Sequence, residues 1–193
     1  MMKHTKTAVT RYPVADSIKN RWSPRSFSGE AIGEDKLHII PEAATWAFSA
    51  MNEQPWRYMV AQKSTPLFDQ FFDALFAGNQ PWNKQASALV VSIAKTTFTD
   101  GATVNGSAMH DVGAANMLLT MQANSMGIYT HLMGGFDRKK ITALLQLEAD
   151  AVPVVMIALG YPDEAEKLDE PFKTREMAPR SRKALSEIIW HQP

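Results

Sequence analysis

The chain has 193 residues, 45% of them hydrophobic and 21% charged, which is the composition of a soluble globular domain with one sizeable core. Twenty Lys and Arg balance twenty Asp and Glu. No global field therefore favours nucleic acid or an anionic membrane, and any anion site has to be built from a few local cations. Cys is absent, which excludes disulfides, thiolate catalysis, zinc–thiolate centres and Cys-held iron–sulfur clusters and agrees with a reducing, cytoplasmic setting.

Met1 to Arg11 is polar and basic, so no secretory leader is expected, and no uncharged apolar run approaches the roughly 18 residues of a membrane helix. Pro13 to Asn20 reads as a short helix opened by proline. It runs into Arg21-Trp22-Ser23-Pro24-Arg25, where Ser23 is biased toward extended backbone by the proline after it. Gly33 to Phe48 carries Leu37, Ile40, Ala44 and Ala47 at helical spacing, with Pro41 expected to kink it or start a fresh turn. Ser49 to Trp56 is a polar loop.

Tyr58 to Gln62 reads as a strand, Thr65 to Ala77 as a Phe-rich helix broken at Gly78-Asn79-Gln80-Pro81, and Ala88 to Ala94 as a buried strand. Thr96 to Gly106 is a Thr- and Gly-rich loop with the length of a mobile cover. Ser107 to Met126 is a helix apolar nearly all round, which belongs in the middle of a domain or a dimer, and Gly127 stops it. Ile128 to Leu132 is extended, Asp137 caps a helix to Leu145, and Val152 to Leu159 is a further apolar strand. A charged, Pro-punctuated tail follows, ending in Arg180-Ser181-Arg182 and an amphipathic stretch to Trp190. The pattern suggests α+β, or a three-layer sheet with a buried central helix.

Ordinary catalytic sets are missing. The five His form no metal-ligand spacing, and there is no nucleophile elbow, Walker loop or dinucleotide fingerprint. His110 and Asp111 are neighbours whose side chains diverge on a helix, so a buried, hydrogen-bonded histidine is favoured over a ligand. Arg21 and Arg25 flank Ser23, and Arg180 and Arg182 flank Ser181. Such clusters suit a phosphate clamp, although solvated surface arginines have the same appearance. Asn52, Gln54 and Asn79 lie on Pro/Gly-marked loops, where amides either meet a heterocycle edge or serve plain turn chemistry.

Taken in order, these pieces resemble the nitroreductase family of flavoproteins. Arg21-x-Ser23-x-Arg25 resembles its N-terminal flavin motif, and Ser49-x-x-Asn52-x-Gln54-Pro55-Trp56 its Asn-x-Gln-Pro-Trp loop. Gly78-Asn79, Gly134-Gly135-Phe136, Ala158 to Pro162 and Arg180-Ser181-Arg182 follow in family order, so the likeness spans Arg21 to about Ile189. Phe48 and Ala50 depart from the loop's usual Pro and Ser, and Trp82 stands where some members place a Lys, with Lys84 close by. Trp82 reads equally as a substrate-stacking group or a core residue.

The resemblance implies a single α+β domain over residues 1–193, with a mostly antiparallel central sheet flanked by helices in three layers. It implies an intertwined homodimer, with 163–193 an extension wrapping the partner subunit. It also implies FMN in a cleft at the dimer interface and NADH or NADPH as electron donor. Hydride would pass by a ping-pong route to nitroaromatics, quinones or similar small acceptors; a flavin carrier or sensor without turnover is the alternative. Arg21, Arg180 and Arg182 would hold the phosphate, and Ser23 the phosphate or ribityl region. Arg25 and Asn79 would face the pyrimidine edge, Gly134 and Gly135 would lie by the ring, Ser49 and Asn52 would reach in from the partner, and Gln54 is a further candidate for the cofactor site. No protein catalytic residue is implied, because the flavin carries the hydride chemistry. The family's covering helices are missing from this short chain, which leaves the pocket open or covered by 96–106 alone.

Overall fold

The structure is a computed structural model that describes residues 6–189. Its frame is a four-stranded antiparallel sheet in the order β1-β2-β4-β3, formed by β1 (Trp56–Gln62), β2 (Ala88–Lys95), β3 (Tyr129–Met133) and β4 (Ala151–Gly160). The helices are α1 (Asp16–Asn20), α2 (Glu34–Thr45), α3 (Pro66–Ala74), α4 (Gln80–Asn83), α5 (Ala108–Ser125), α6 (Arg138–Leu144), α7 (Phe172–Met177) and α8 (Leu185–Ile188). Trp190, the expected end of the last amphipathic stretch, lies outside the described residues.

The alternation of side chains along β2 explains the layering. Leu89, Val91 and Ile93 face a core shared with Phe68, Phe71, Leu75, Phe136 and Ile141. Ala88, Val90 and Ala94 face a second core with Leu37, Ile40, Val112, Ala115 and Leu119. Successive residues point to opposite faces of a strand, so a strand apolar at every position has to be covered twice. α3 and α6 cover one face and α2 and α5 the other, giving an α+β three-layer sandwich. On α5 the residues facing the sheet are Ala108, Val112, Ala115, Leu119 and Ala123, at helical spacing. Gly127, at φ +73°, ends α5 in a conformation that glycine adopts without steric cost.

Several boundaries differ from the sequence expectation. α2 runs through Pro41 without interruption and ends at Thr45. α3 stops at Ala74 because Leu75 forms a bridge with Phe136, a tertiary pairing stronger than the local propensity of Phe76 and Ala77. The Gly78–Pro81 breaker contains the start of α4, with Pro81 in its first turn. α7 forms inside the charged, Pro-punctuated tail. Among the described residues no helix is long and apolar enough to cross a membrane.

Candidate functional site

The turn Ser23–Ser26 enters one end of the sheet and is gripped from two sides. From β3, His131 Nδ1 lies 2.9 Å from the Pro24 carbonyl. That contact requires Nδ1 to carry the proton and donate. Enclosure, with Arg25 and Arg21 adding a smaller push, takes the imidazole pKa down to about 4, so the ring is neutral near pH 7. From α7, Glu176 accepts hydrogen bonds from the backbone N–H of Arg25, at 3.0 Å to each carboxylate oxygen, and from that of Ser26 at 3.2 Å.

The two arginine clusters meet across this turn. Arg21 Nη1 donates to Ser23 Oγ at 3.3 Å. Arg180 Nη1 donates to the carbonyls of Lys6 and Lys19 at 2.8 and 2.6 Å, which ties the tail to the segment entering the turn. Arg182 Nη1 donates to the neighbouring Ser181 carbonyl at 2.7 Å. The Arg21 pKa is lowered first by burial and then by the charges of Arg180 and Arg182, so the three guanidinium groups share one electrostatic neighbourhood. Among the described residues none of Arg21, Arg25, Arg180 and Arg182 forms a salt bridge. Arg25 has the Glu176 carboxylate close by, whereas Arg21, Arg180 and Arg182 are like charges of the kind a phosphate would relieve.

A strip of ring and amide groups continues from Arg25. Its guanidinium sits 5.9 Å from the Trp82 ring, whose other neighbour is His131 at 4.4 Å between ring centroids. Trp82 is buried in the first core and donates from Nε1 to the Gly78 carbonyl. It is thus a platform under Arg25 and not a free stacking group. Farther along, Asn79 Nδ2 donates to the Gly135 carbonyl at 3.0 Å. A Cβ added to Gly135 would lie 2.8 Å from that same nitrogen, so the approach of Asn79 requires glycine there. Gly134 beside it is exposed with open space around it. Lys84 is exposed.

Ser49, Asn52 and Gln54 are not brought to this cluster within one chain. Their loop is fixed at the other end of α5, where the Ala50 N–H donates to Asp111 at 3.0 Å. The Arg21 end adjoins the C-terminal part of α5, where Asn20 shares a pocket with Asn124 and Ser125. From Asp111 to Asn124 a helix rises about 20 Å. The loop has a backbone of its own kind: Met51, Asn52 and Gln54 all have φ near +50° to +56°. Ser49 Oγ accepts from the Gln54 N–H at 3.0 Å and helps to close it.

Two further expectations are corrected here. His110 is exposed, and its Nδ1 lies 3.0 Å from Asp111 Oδ1, so neighbouring side chains meet where divergence was expected. Segment 96–106 is not a free cover. Asp100 accepts from the Ala102 and Thr103 N–H groups, and Thr99 donates to Glu53 from both its N–H and its hydroxyl. A bridge between Thr97 and Val104 completes a small strapped hairpin. Glu176 and His131, the two residues that grip the turn, went unrecognised in the sequence; a lone Glu in a charged tail and a lone His in a strand carry no local signal.

An apolar face adjoins the strained loop. Trp46 and Met51 are 81% and 86% exposed, and Phe48, Met109, Met117 and Leu118 are also open. Ile39, Trp46, Leu118 and Met121 line a common groove between α2 and α5.

Comparison with known proteins gives a consistent result. Residues 18–161 match the model of the nitroreductase family. A crystal structure described as an oxidoreductase containing FMN is 31% identical, superposes with a TM-score of 0.92, and the match covers 100% of this chain and 98% of that one. A nitroreductase family protein from Streptococcus pneumoniae has the same fold at 20% identity, with a TM-score of 0.73 over 91% of this chain and 98% of that one. A Methanothermobacter thermautotrophicus protein assigned as an NADH dehydrogenase/NAD(P)H nitroreductase is 24% identical over 83% of each chain.

Proposed function

The chain belongs to the nitroreductase family, and from that premise we propose that it is an FMN-dependent oxidoreductase. It draws electrons from NADH or NADPH and passes them to a nitroaromatic, quinone or similar small acceptor by a ping-pong route. The observation that carries the reading is the bond from Arg180 to the Lys19 carbonyl, which sets the second arginine cluster beside Arg21 and Ser23, with Arg25, Asn79 and Gly135 in the strip that continues from them.

The donor set fits the cofactor. Three guanidinium groups suit its phosphate, and the Ser23 hydroxyl suits the phosphate or ribityl region. The amide of Asn79 and the guanidinium of Arg25 suit the pyrimidine edge, and Gly134 and Gly135 leave room for a flat ring. When bound, FMN would supply the two-electron hydride chemistry between nicotinamide and acceptor. The chain's part is position and field: Arg25 sets a fixed cation where reduction builds negative charge.

Ser49, Asn52 and Gln54 complete the site from the partner subunit of a homodimer. The exposed apolar face around Trp46 and Leu118 supports that assembly, since patches of this kind are unusual on monomers. The described end of the tail, from Lys183 to Ile189, is exposed throughout and wraps the partner, while residues up to Arg180 are bonded to their own chain. On this reading 1–193 is one domain with an exchanged tail.

The test is the spectrum of the purified protein with added FMN, followed by anaerobic addition of NADH and of NADPH. The expected result is a bound flavin spectrum that bleaches rapidly with one or both nicotinamides. Protein that stays colourless after incubation with FMN overturns the reading, and bound flavin that fails to bleach favours a carrier.

A further inference from the structure

Glu176 is 3% exposed, although a carboxylate taken out of water costs several kcal/mol unless it is well partnered. Its partners are unusual. Among the described residues it makes no salt bridge. Both oxygens are instead committed to the consecutive amides of Arg25 and Ser26, 151 and 150 residues away in the chain. Successive amides aimed at one point form an anion-binding nest, and here the chain fills the nest with its own carboxylate. Burial raises the Glu176 pKa, while the amides and the charges of Lys6 and Arg25 lower it.

The position of this bond gives it a consequence. On one side lies the turn bearing Arg21, Ser23 and Arg25. On the other lies α7, which leads within a few residues to Arg180 and Arg182. Ser26 Oγ adds a second tie to the tail, donating to the Glu164 carbonyl at 2.6 Å. We propose that Glu176 is the positioning residue of the site, a pin that sets the register between the two arginine clusters so that their guanidinium groups converge on one phosphate. Glu176 does not touch the cofactor. It acts through the Arg25 and Ser26 backbone, and it rests on the flavin reading above.

Glu176→Gln separates this role from simple packing, because Gln fills the same space but offers one acceptor oxygen and turns an N–H₂ toward an N–H. Apoprotein of the wild type, E176Q and the exposed control Glu166→Gln is titrated with FMN by fluorescence quenching. Backbone hydrogen exchange is followed at Arg25 and Ser26 in the same samples. The expected result for E176Q is FMN binding weakened at least tenfold and faster exchange at those two amides, with E166Q unchanged. E176Q binding within twofold of wild type, or exchange unaltered at the turn, overturns the proposal. If the wild type itself fails to bind FMN, the flavin reading falls, while the exchange comparison still decides whether Glu176 holds the turn. Should E176Q fail to fold, Glu176→Asp, with its shorter reach, takes its place under the same criteria.

Discussion

His131 links proton binding to the geometry of the site. Its folded pKa of about 4 lies below the ordinary value of 6.5, so the unfolded chain binds more protons between those limits. The stabilisation is complete above about pH 6.5 and is lost as the pH falls toward 4, by up to about 3 kcal/mol from the size of the shift. Urea unfolding at a series of pH values should show this acid limb, and His131→Asn should flatten it. Glu176 has the opposite sign: its raised pKa makes its contribution decline as the pH rises from the ordinary carboxylate range. Arg182→Ala should weaken FMN binding by about 1.5–3 kcal/mol, the value of one charged hydrogen-bonded contact; unchanged affinity by calorimetry would remove Arg182 from the site. The arginines stood out in the sequence only through the order of the motifs, because Arg21-x-Ser23-x-Arg25 and Arg180-Ser181-Arg182 by themselves look like solvated surface clusters. His131 and Glu176 did not, because what distinguishes them is enclosure, and enclosure depends on which distant segments meet.

At the scale of the element, the 49–54 loop holds three non-glycine residues at positive φ, each costing on the order of 1 kcal/mol or more. Something has to hold such a backbone, and Asp111 does so through the Ala50 N–H. Asp111→Ala should therefore lower stability by about 1–3 kcal/mol in chemical denaturation and open the loop to limited proteolysis; an unaltered cleavage pattern would show that the loop holds itself. Gly135→Ala makes a matching case at the end of β3. Its methyl group would displace Asn79, so FMN affinity should fall while the unfolding midpoint stays close to wild type. The strands and the long helices could be read from their apolar runs and spacing, because β2 is covered on both faces and one face of α5 packs on the core along its length. α4 and α7 could not, since each is short and is tied to distant segments: Asn83 donates to Met133 Sδ in one, and Glu176 accepts from the turn in the other.

For the molecule as a whole, the two cores on either side of one sheet account for the three layers, and the composition already required that much burial. Leu119→Ala, in the second core, should cost about 2–5 kcal/mol by cavity formation. The face around Trp46 and Leu118 tests the assembly instead. On the proposed dimer, Leu118→Lys should shift sedimentation toward the monomer and reduce FMN retention together, because a monomer would lack the 49–54 loop of a partner. A dimer that survives this change would place the interface elsewhere. The resemblance in the sequence reached this level through motif order, whereas the apolar face itself emerges only once α2 and α5 lie side by side.

The bond from Arg180 to the Lys19 carbonyl spans 161 positions of the chain. A polypeptide still being synthesised has its first arginine cluster exposed long before the second exists. The phosphate clamp can close only after nearly all of the chain has left the ribosome and the tail has docked. If the proposed clamp holds FMN, cofactor capture is a late event in biogenesis, and a prematurely terminated product would carry the sheet and most of the core without the means to retain it. Translation arrested before Glu176 should yield compact chains that release the dye-like flavin on gel filtration, and release from the full-length product as well would remove the clamp as the cause.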